Sequence, residues 1–173
     1  MSNYKALLKH ITTIIFDYDG VLTDGTVIIN EFGELLRTAN VKDGYALKHA
    51  REMGYRIVII SGGKSDSVRL RFLPLGIQDV FLGIGDKLLK YNEYKAEHEL
   101  KDEEILYMGD DIPDYPVMQT VGVAACPADA ANEIKNISAY ISNFKGGEGC
   151  ARDVIEQVMK VQEKWFTDKA FIW

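Results

Sequence analysis

Three short apolar runs in this sequence end in polar groups: "TTIIFD" runs into Asp17 and Asp19, "YRIVIIS" into Ser61, and "EILYMGDD" into Asp110 and Asp111. Aliphatic runs without polar alternation suit strands buried on both faces. Helical stretches lie between them. In "GYALKHAREMG", Tyr45, Leu47, Ala50 and Met53 fit an amphipathic helix ended by Gly54. "SDSVRLRFLPLG" reads as a shorter helix, "DVFLG" as a brief strand, "DKLLKYNEYKAEHELK" as a strong helix, and a last helix spans about Ala151 to Trp165. Strand and helix alternating at this spacing predict an α/β architecture, a doubly wound, Rossmann-like parallel sheet covered by helices on both faces.

One insertion has a different texture. In "GTVIINEFGELLRTANVKDG", Val27 to Ile29 and Leu35 to Thr38 flank "NEFG", which predicts a β-hairpin over about 25–40 with Gly33 in its turn. It is too small for a cap domain and large enough for a flap or a contact surface. The 173 residues fit one domain, 1–173, ending in a helix and tail over about 151–173. The tail, "QEKWFTDKAFIW", is unusually aromatic and is expected to dock onto a subunit or near a site.

With 26 acidic against 20 basic residues and a net charge of -6, neither nucleic acid nor a membrane surface is an expected partner, and a small anionic ligand remains open. The first twenty residues lack a signal-peptide pattern and no apolar run approaches spanning length, so a cytoplasmic protein is expected. Cys126 and Cys150 lack metal-site spacing and read as reduced, inert thiols; His10, His49 and His98 are isolated.

The polar groups ending the three runs sit at carboxyl ends of predicted parallel strands, the edge where open α/β sheets bind ligands. Lys87, opening the helix after the short strand, can bring an ammonium to the same crevice. An aspartate is ionised at neutral pH and can attack phosphorus without a base, which makes Asp17 the candidate nucleophile. Asp19, two residues on, can protonate the leaving oxygen and later deprotonate water. Repulsion between a carboxylate and a phosphate dianion calls for Mg²⁺, with Asp110 as a further ligand. The Ser61 hydroxyl, the Lys87 ammonium and backbone N–H groups near Gly20 and Gly62 can hold phosphate oxygens.

With these residues placed, the chain resembles the haloacid dehalogenase superfamily of phosphohydrolases, whose four motifs "DYDG", "SGG", Lys87 and "GDDIPD" match in order. Over nearly its full length, through "DYDGVLTDG", "NVKDGYALK", "ISGGKSDSVRLRFLPLGI", "YMGDDIPDYPVM" and "GGEGCARDVIE", it is similar to the capless, tetrameric 3-deoxy-D-manno-octulosonate (KDO) 8-phosphate phosphatases. That resemblance implies hydrolysis through an aspartyl-phosphate on the way to lipopolysaccharide precursors, with Mg²⁺ held by Asp17, the backbone carbonyl of Asp19, and Asp110. It implies substrate contacts from a loop of Asn40, Val41, Lys42, Asp43 and Gly44, from Lys48 and from Arg71, beside Asp19, Ser61, Gly62, Gly63 and Lys87 at the phosphate. Arg71 would take the sugar-acid carboxylate, in cis or in trans. The hairpin would build a homotetramer whose neighbouring subunits complete each site.

Many relatives carry arginine where this chain has Gly63, and those acting on nine-carbon keto-acid phosphates carry glutamate. Glycine fits the eight-carbon substrate, with the nine-carbon 9-phosphate as the alternative. Two other classes stay open. A receiver module also gathers acids, a hydroxyl and a lysine around Mg²⁺, but its phosphoacceptor comes on the third strand, whereas "DYDG" ends the first here. A tetramerisation domain without turnover is the other, against which the intact catalytic set weighs.

Overall fold

A computed structural model describes residues 4–172; the expected unit's residues 1–3 and Trp173 lie outside the described part. The chain runs α1 (Tyr4–Leu8), β1 (Thr13–Phe16), β2 (Ile28–Ile29), β3 (Leu35–Leu36), α2 (Val41–Glu52), β4 (Arg56–Ile60), α3 (Ser67–Phe72) and β5 (Val80–Phe81). It continues through α4 (Lys87–Glu97), β6 (Ile105–Met108), α5 (Tyr115–Met118), β7 (Val123–Cys126), α6 (Asn132–Ile137), β8 (Tyr140–Ile141) and α7 (Cys150–Val161). Six parallel strands form one sheet in the order β5-β4-β1-β6-β7-β8, with β1 between β4 and β6. The order reverses around β1, which opens a ligand crevice beyond its carboxyl end.

The apolar runs lack alternation because both faces of the sheet are covered. Ile14, Phe16, Ile57, Ile59, Leu106 and Met108 pack into a core with residues of α1, α2 and α7. Their strand neighbours Ile15, Val58, Ile60, Ile105 and Tyr107 enter a second core with residues of α4, α5 and α6. Strand residues alternate sides by their period of two, so each run feeds both cores.

The insertion after β1 holds a two-stranded antiparallel hairpin, Ile28 facing Leu36 and Ile29 facing Leu35, with Gly33 at φ +78° in its turn. Three expectations shift. Helix α2 begins at Val41, so the expected substrate loop 40–44 is its cap and first turn: the Asn40 side chain accepts from the N–H groups of Lys42 and Asp43. The last helix ends at Val161 rather than Trp165. The tail turns back over α2 of its own chain, where His49 Nε2 lies 3.0 Å from the Trp165 carbonyl and Tyr45 bonds the Ala170 carbonyl. Phe166, Phe171 and Ile172 stay exposed. Cys126 and Cys150 are free and buried, and no described helix is long and apolar enough to cross a membrane.

Candidate active site

Asp17, Asp19, Ser61, Gly62, Gly63, Lys87 and Asp110 line one crevice of about 330 Å³ at the carboxyl edge of the sheet. β1 delivers Asp17, β4 Ser61, and β6 Asp110, while Lys87 is the first residue of α4. The turn after β1 has to be tight. Gly20 has φ +91°, and a Cβ there would lie 2.1 Å from Asp110 Oδ2, so glycine lets the Asp110 carboxylate lie against the backbone of the first loop.

Lys87 Nζ lies 2.9 Å from Asp17 Oδ2 and 2.7 Å from Asp114 Oδ1. Burial opposes its charge, and Asp17 and Asp114 outweigh that effect, so its pKa lies above the ordinary lysine value. Asp114 is fully buried and organises the acidic loop. Its Oδ1 also accepts from Tyr107 Oη at 2.6 Å, and its Oδ2 from the N–H groups of Asp110 and Asp111. The Asp17 Oδ1 accepts from the Tyr18 N–H at 2.7 Å, and Ser61 Oγ accepts from the Gly63 N–H at 3.1 Å, leaving the hydroxyl proton to donate.

The balance of charge is negative. Burial first, then Asp114, raises Asp17 to about 6 against the pull of Lys87. Burial first, then Asp17 and Asp114, raises Asp110 to about 8. Asp110 Oδ1 is buried without a hydrogen-bond partner, and carboxylate oxygens of Asp17, Asp110 and Asp114 lie within 4.8 Å of one another. Converging oxygens with an excess of negative charge fit a hard divalent cation. Asp114 accepts from four donors, whereas Asp17 accepts from two and Asp110 Oδ1 from none, so Asp17 and Asp110 keep more lone pairs for a cation. The Asp19 carboxylate is not part of that acidic group.

It faces the hairpin instead. Arg37 Nε lies 2.6 Å from Asp19 Oδ1 and Arg37 Nη2 3.0 Å from Oδ2, a bidentate pair. A second, wider groove of about 690 Å³ runs from the hairpin past Arg37, Gly63 and Lys64 to Ser67 and shares Gly62 and Gly63 with the catalytic crevice. Neither Arg37 nor the hub role of Asp114 is evident from local sequence. The one clue to Arg37 is a basic residue directly after the apolar pair of β3.

The expected sugar-binding residues gather elsewhere within the chain. Arg71 Nη2 lies 3.4 Å from the Asn40 carbonyl, and a Cβ on Gly44 would lie 2.2 Å from Nη2, so the guanidinium sits against the first turn of α2. Asp43 is buried and accepts from the Arg152 N–H at 2.7 Å. Val41 is exposed, Lys42 lines a separate pocket beside Arg152, and Lys48 pairs with Glu52 at 3.4 Å. None of Asn40, Val41, Lys42, Asp43, Gly44, Lys48 and Arg71 lines the catalytic crevice of its own chain.

No family model matches the chain. It is 34% identical over 155 residues to the KDO 8-phosphate phosphatase of Yersinia pestis, covering 90% of this chain and 83% of that protein. The crystal structure of KDO 8-phosphate phosphatase from that organism superposes with a TM-score of 0.92 at 32% identity, covering 94% and 88% of the two chains. A Moraxella catarrhalis KDO 8-phosphate phosphatase, solved in complex with magnesium ion, phosphate ion and KDO, superposes with a TM-score of 0.91 at 30% identity over 94% of each chain. Identity of this level over nine-tenths of the sequence, with TM-scores above 0.9, reflects common descent: the chain belongs to the KDO 8-phosphate phosphatase family of the haloacid dehalogenase superfamily.

Proposed function

We propose that this protein hydrolyses KDO 8-phosphate to KDO and inorganic phosphate in a Mg²⁺-dependent reaction. The observation that carries the reading is the convergence of Asp17, Asp19, Ser61, Lys87 and Asp110 on one crevice in a chain of this family. Asp17 attacks phosphorus as the bond to the sugar oxygen breaks, and Asp19 delivers its proton to that oxygen. In the second step Asp19 takes a proton from water, the water oxygen bonds to phosphorus, and the bond from Asp17 breaks to free phosphate. Lys87 and the Ser61 hydroxyl hold non-bridging oxygens, with the Gly62 and Gly63 backbone beside them. Asp17, the Asp19 backbone carbonyl and Asp110 would hold a magnesium ion, which would supply charge to offset the repulsion between nucleophile and phosphate.

The C8 sugar extends past Gly63 into the groove under the hairpin. Glycine suits that passage, because a Cβ at position 63 would lie 3.3 Å from both Asp19 Oδ2 and Ser61 Oγ. Since Arg71 and residues 40–44 lie outside the crevice of their own chain, the reading has a neighbouring subunit of a homotetramer present them to the sugar acid.

Phosphate release is the direct test. With Mg²⁺, KDO 8-phosphate should be turned over faster than its nine-carbon homologue and hexose phosphates, and Asp17→Asn should lose several powers of ten in rate with its circular dichroism unchanged. A fully active Asp17→Asn variant, or a preference for a hexose phosphate, would overturn the reading.

A further inference from the structure

One of the catalytic crevice's own residues, Asp19, is reached from the groove beside the crevice by Arg37 at the end of the hairpin. Leu35 and Leu36 beside it are exposed, at 46% and 49%, yet the Arg37 side chain is only 9% exposed. Its Nε and Nη2 donate to the two oxygens of Asp19, while Nη1 donates to the Leu35 carbonyl of its own strand at 3.2 Å. Asp19 has little else to fix it. Its carboxylate is 32% exposed, and its other hydrogen bond, from Thr23 Oγ1 to Oδ1, spans 3.5 Å. Gly63 makes room for the pair, since a Cβ there would lie 3.6 Å from Arg37 Nη2 and 3.3 Å from Asp19 Oδ2.

We infer that Arg37 is a positioning residue for the phosphatase reaction: its guanidinium clamps the Asp19 carboxylate in the orientation needed for proton transfer, and so makes catalysis conditional on the placement of the hairpin. The inference rests on the phosphatase reading above. A bidentate guanidinium fixes the plane of a carboxylate as well as its position, which a lysine cannot do. Asp19 Oδ2 takes no donor from the described residues besides Arg37 Nη2 and keeps a second lone pair, so the proton can pass there with the clamp closed. Among the described residues, every hydrogen bond from residues 28–37 to another element is made by Arg37. Displacing the hairpin therefore also releases the acid.

The test compares wild type, Arg37→Ala and Arg37→Lys on KDO 8-phosphate and on 4-nitrophenyl phosphate. Misplacing the acid should lower kcat of Arg37→Ala on the sugar phosphate by roughly 10²-fold with KM nearly unchanged. The loss should be smaller on the aryl ester, whose leaving group departs without a proton. Arg37→Lys should recover part of the rate, and guanidinium ion at sub-denaturing concentration should rescue Arg37→Ala beyond sodium at equal ionic strength. Hairpin amide exchange should speed up alike in Arg37→Ala and Asp19→Asn, with no further gain in the double variant. A raised KM with kcat intact, equal losses on both esters, or additive exchange effects would overturn the inference. Unaltered kinetics in Arg37→Ala against an active wild type would overturn it alone, whereas a wild type silent on every monoester would overturn the phosphatase reading and this inference with it.

Discussion

Lys87 is set between Asp17 and Asp114, and Asp110 adds a third carboxylate whose Oδ1 has no partner. Burial first, then Asp17 and Asp114, penalises the Asp110 charge in the metal-free protein, and Asn removes that penalty together with a cation ligand. Asp110→Asn should therefore unfold at a higher temperature than wild type without metal, by roughly 2–4 °C for each kcal/mol relieved, and lose most of the stabilisation that Mg²⁺ gives wild type. Thermal scans with EDTA and with Mg²⁺ check both parts, and an undiminished Mg²⁺ shift in the variant would remove Asp110 from the ligand set. Asp17, Asp19, Ser61, Lys87 and Asp110 are readable in sequence because each lies at or just beyond the boundary of an element that is itself readable. Asp114 and Arg37 are not. The first is recognisable only from four donors that reach it in space, and the second acts across 18 residues through the fold of a hairpin.

Helices α2 and α7 illustrate why element boundaries resist sequence reading. α7 begins after Gly149 at φ +109°, which offers no side-chain cap, and the missing acceptor comes from Asp43 in the first turn of α2. "NVKDG" resembles a loop because Val and Gly weaken the helical signal, although Asn40 is a strong N-cap. Asp43 also shapes the response to pH. Burial first, against the Arg152 N–H and the charges of Arg152 and Arg71, raises its carboxyl from 3.8 to about 6. Between those values the folded chain retains a proton that the unfolded chain has released, so stability falls as pH rises and the full penalty, about 3 kcal/mol, is present above about pH 6. Asn keeps an acceptor for the Arg152 N–H and cannot ionise. Asp43→Asn should flatten the dependence of urea midpoint on pH between about 4 and 6 relative to wild type, and parallel profiles would show that Asp43 ionises normally in the fold.

On the scale of the molecule, the sheet was legible because its buried strands carry their signal in unbroken apolar runs, while the hairpin read only as a flap or contact surface, because the apolar side chains of its two strands stay exposed among the described residues. Ile28 and Leu36 pair on one face and Ile29 and Leu35 on the other, yet Ile28 is 55% and Ile29 70% exposed. A two-stranded ribbon with apolar groups on both faces gains little stability from its own contacts and leaves those groups for another surface to cover, which in the proposed homotetramer is a second copy. A homotetramer built through the hairpins would fix each flap, hold Arg37 against Asp19 and bring neighbouring surfaces over the open groove beside Gly63. Assembly and turnover should then fail together. Ile28→Glu with Leu36→Lys should shift sedimentation from tetramer towards monomer and lower kcat on KDO 8-phosphate, and raising the protein concentration should recover both in parallel. The individual substitutions should fall between wild type and the pair. A wild-type monomer with full activity at assay concentration, or a variant that dissociates while retaining its rate, would separate the hairpin from catalysis.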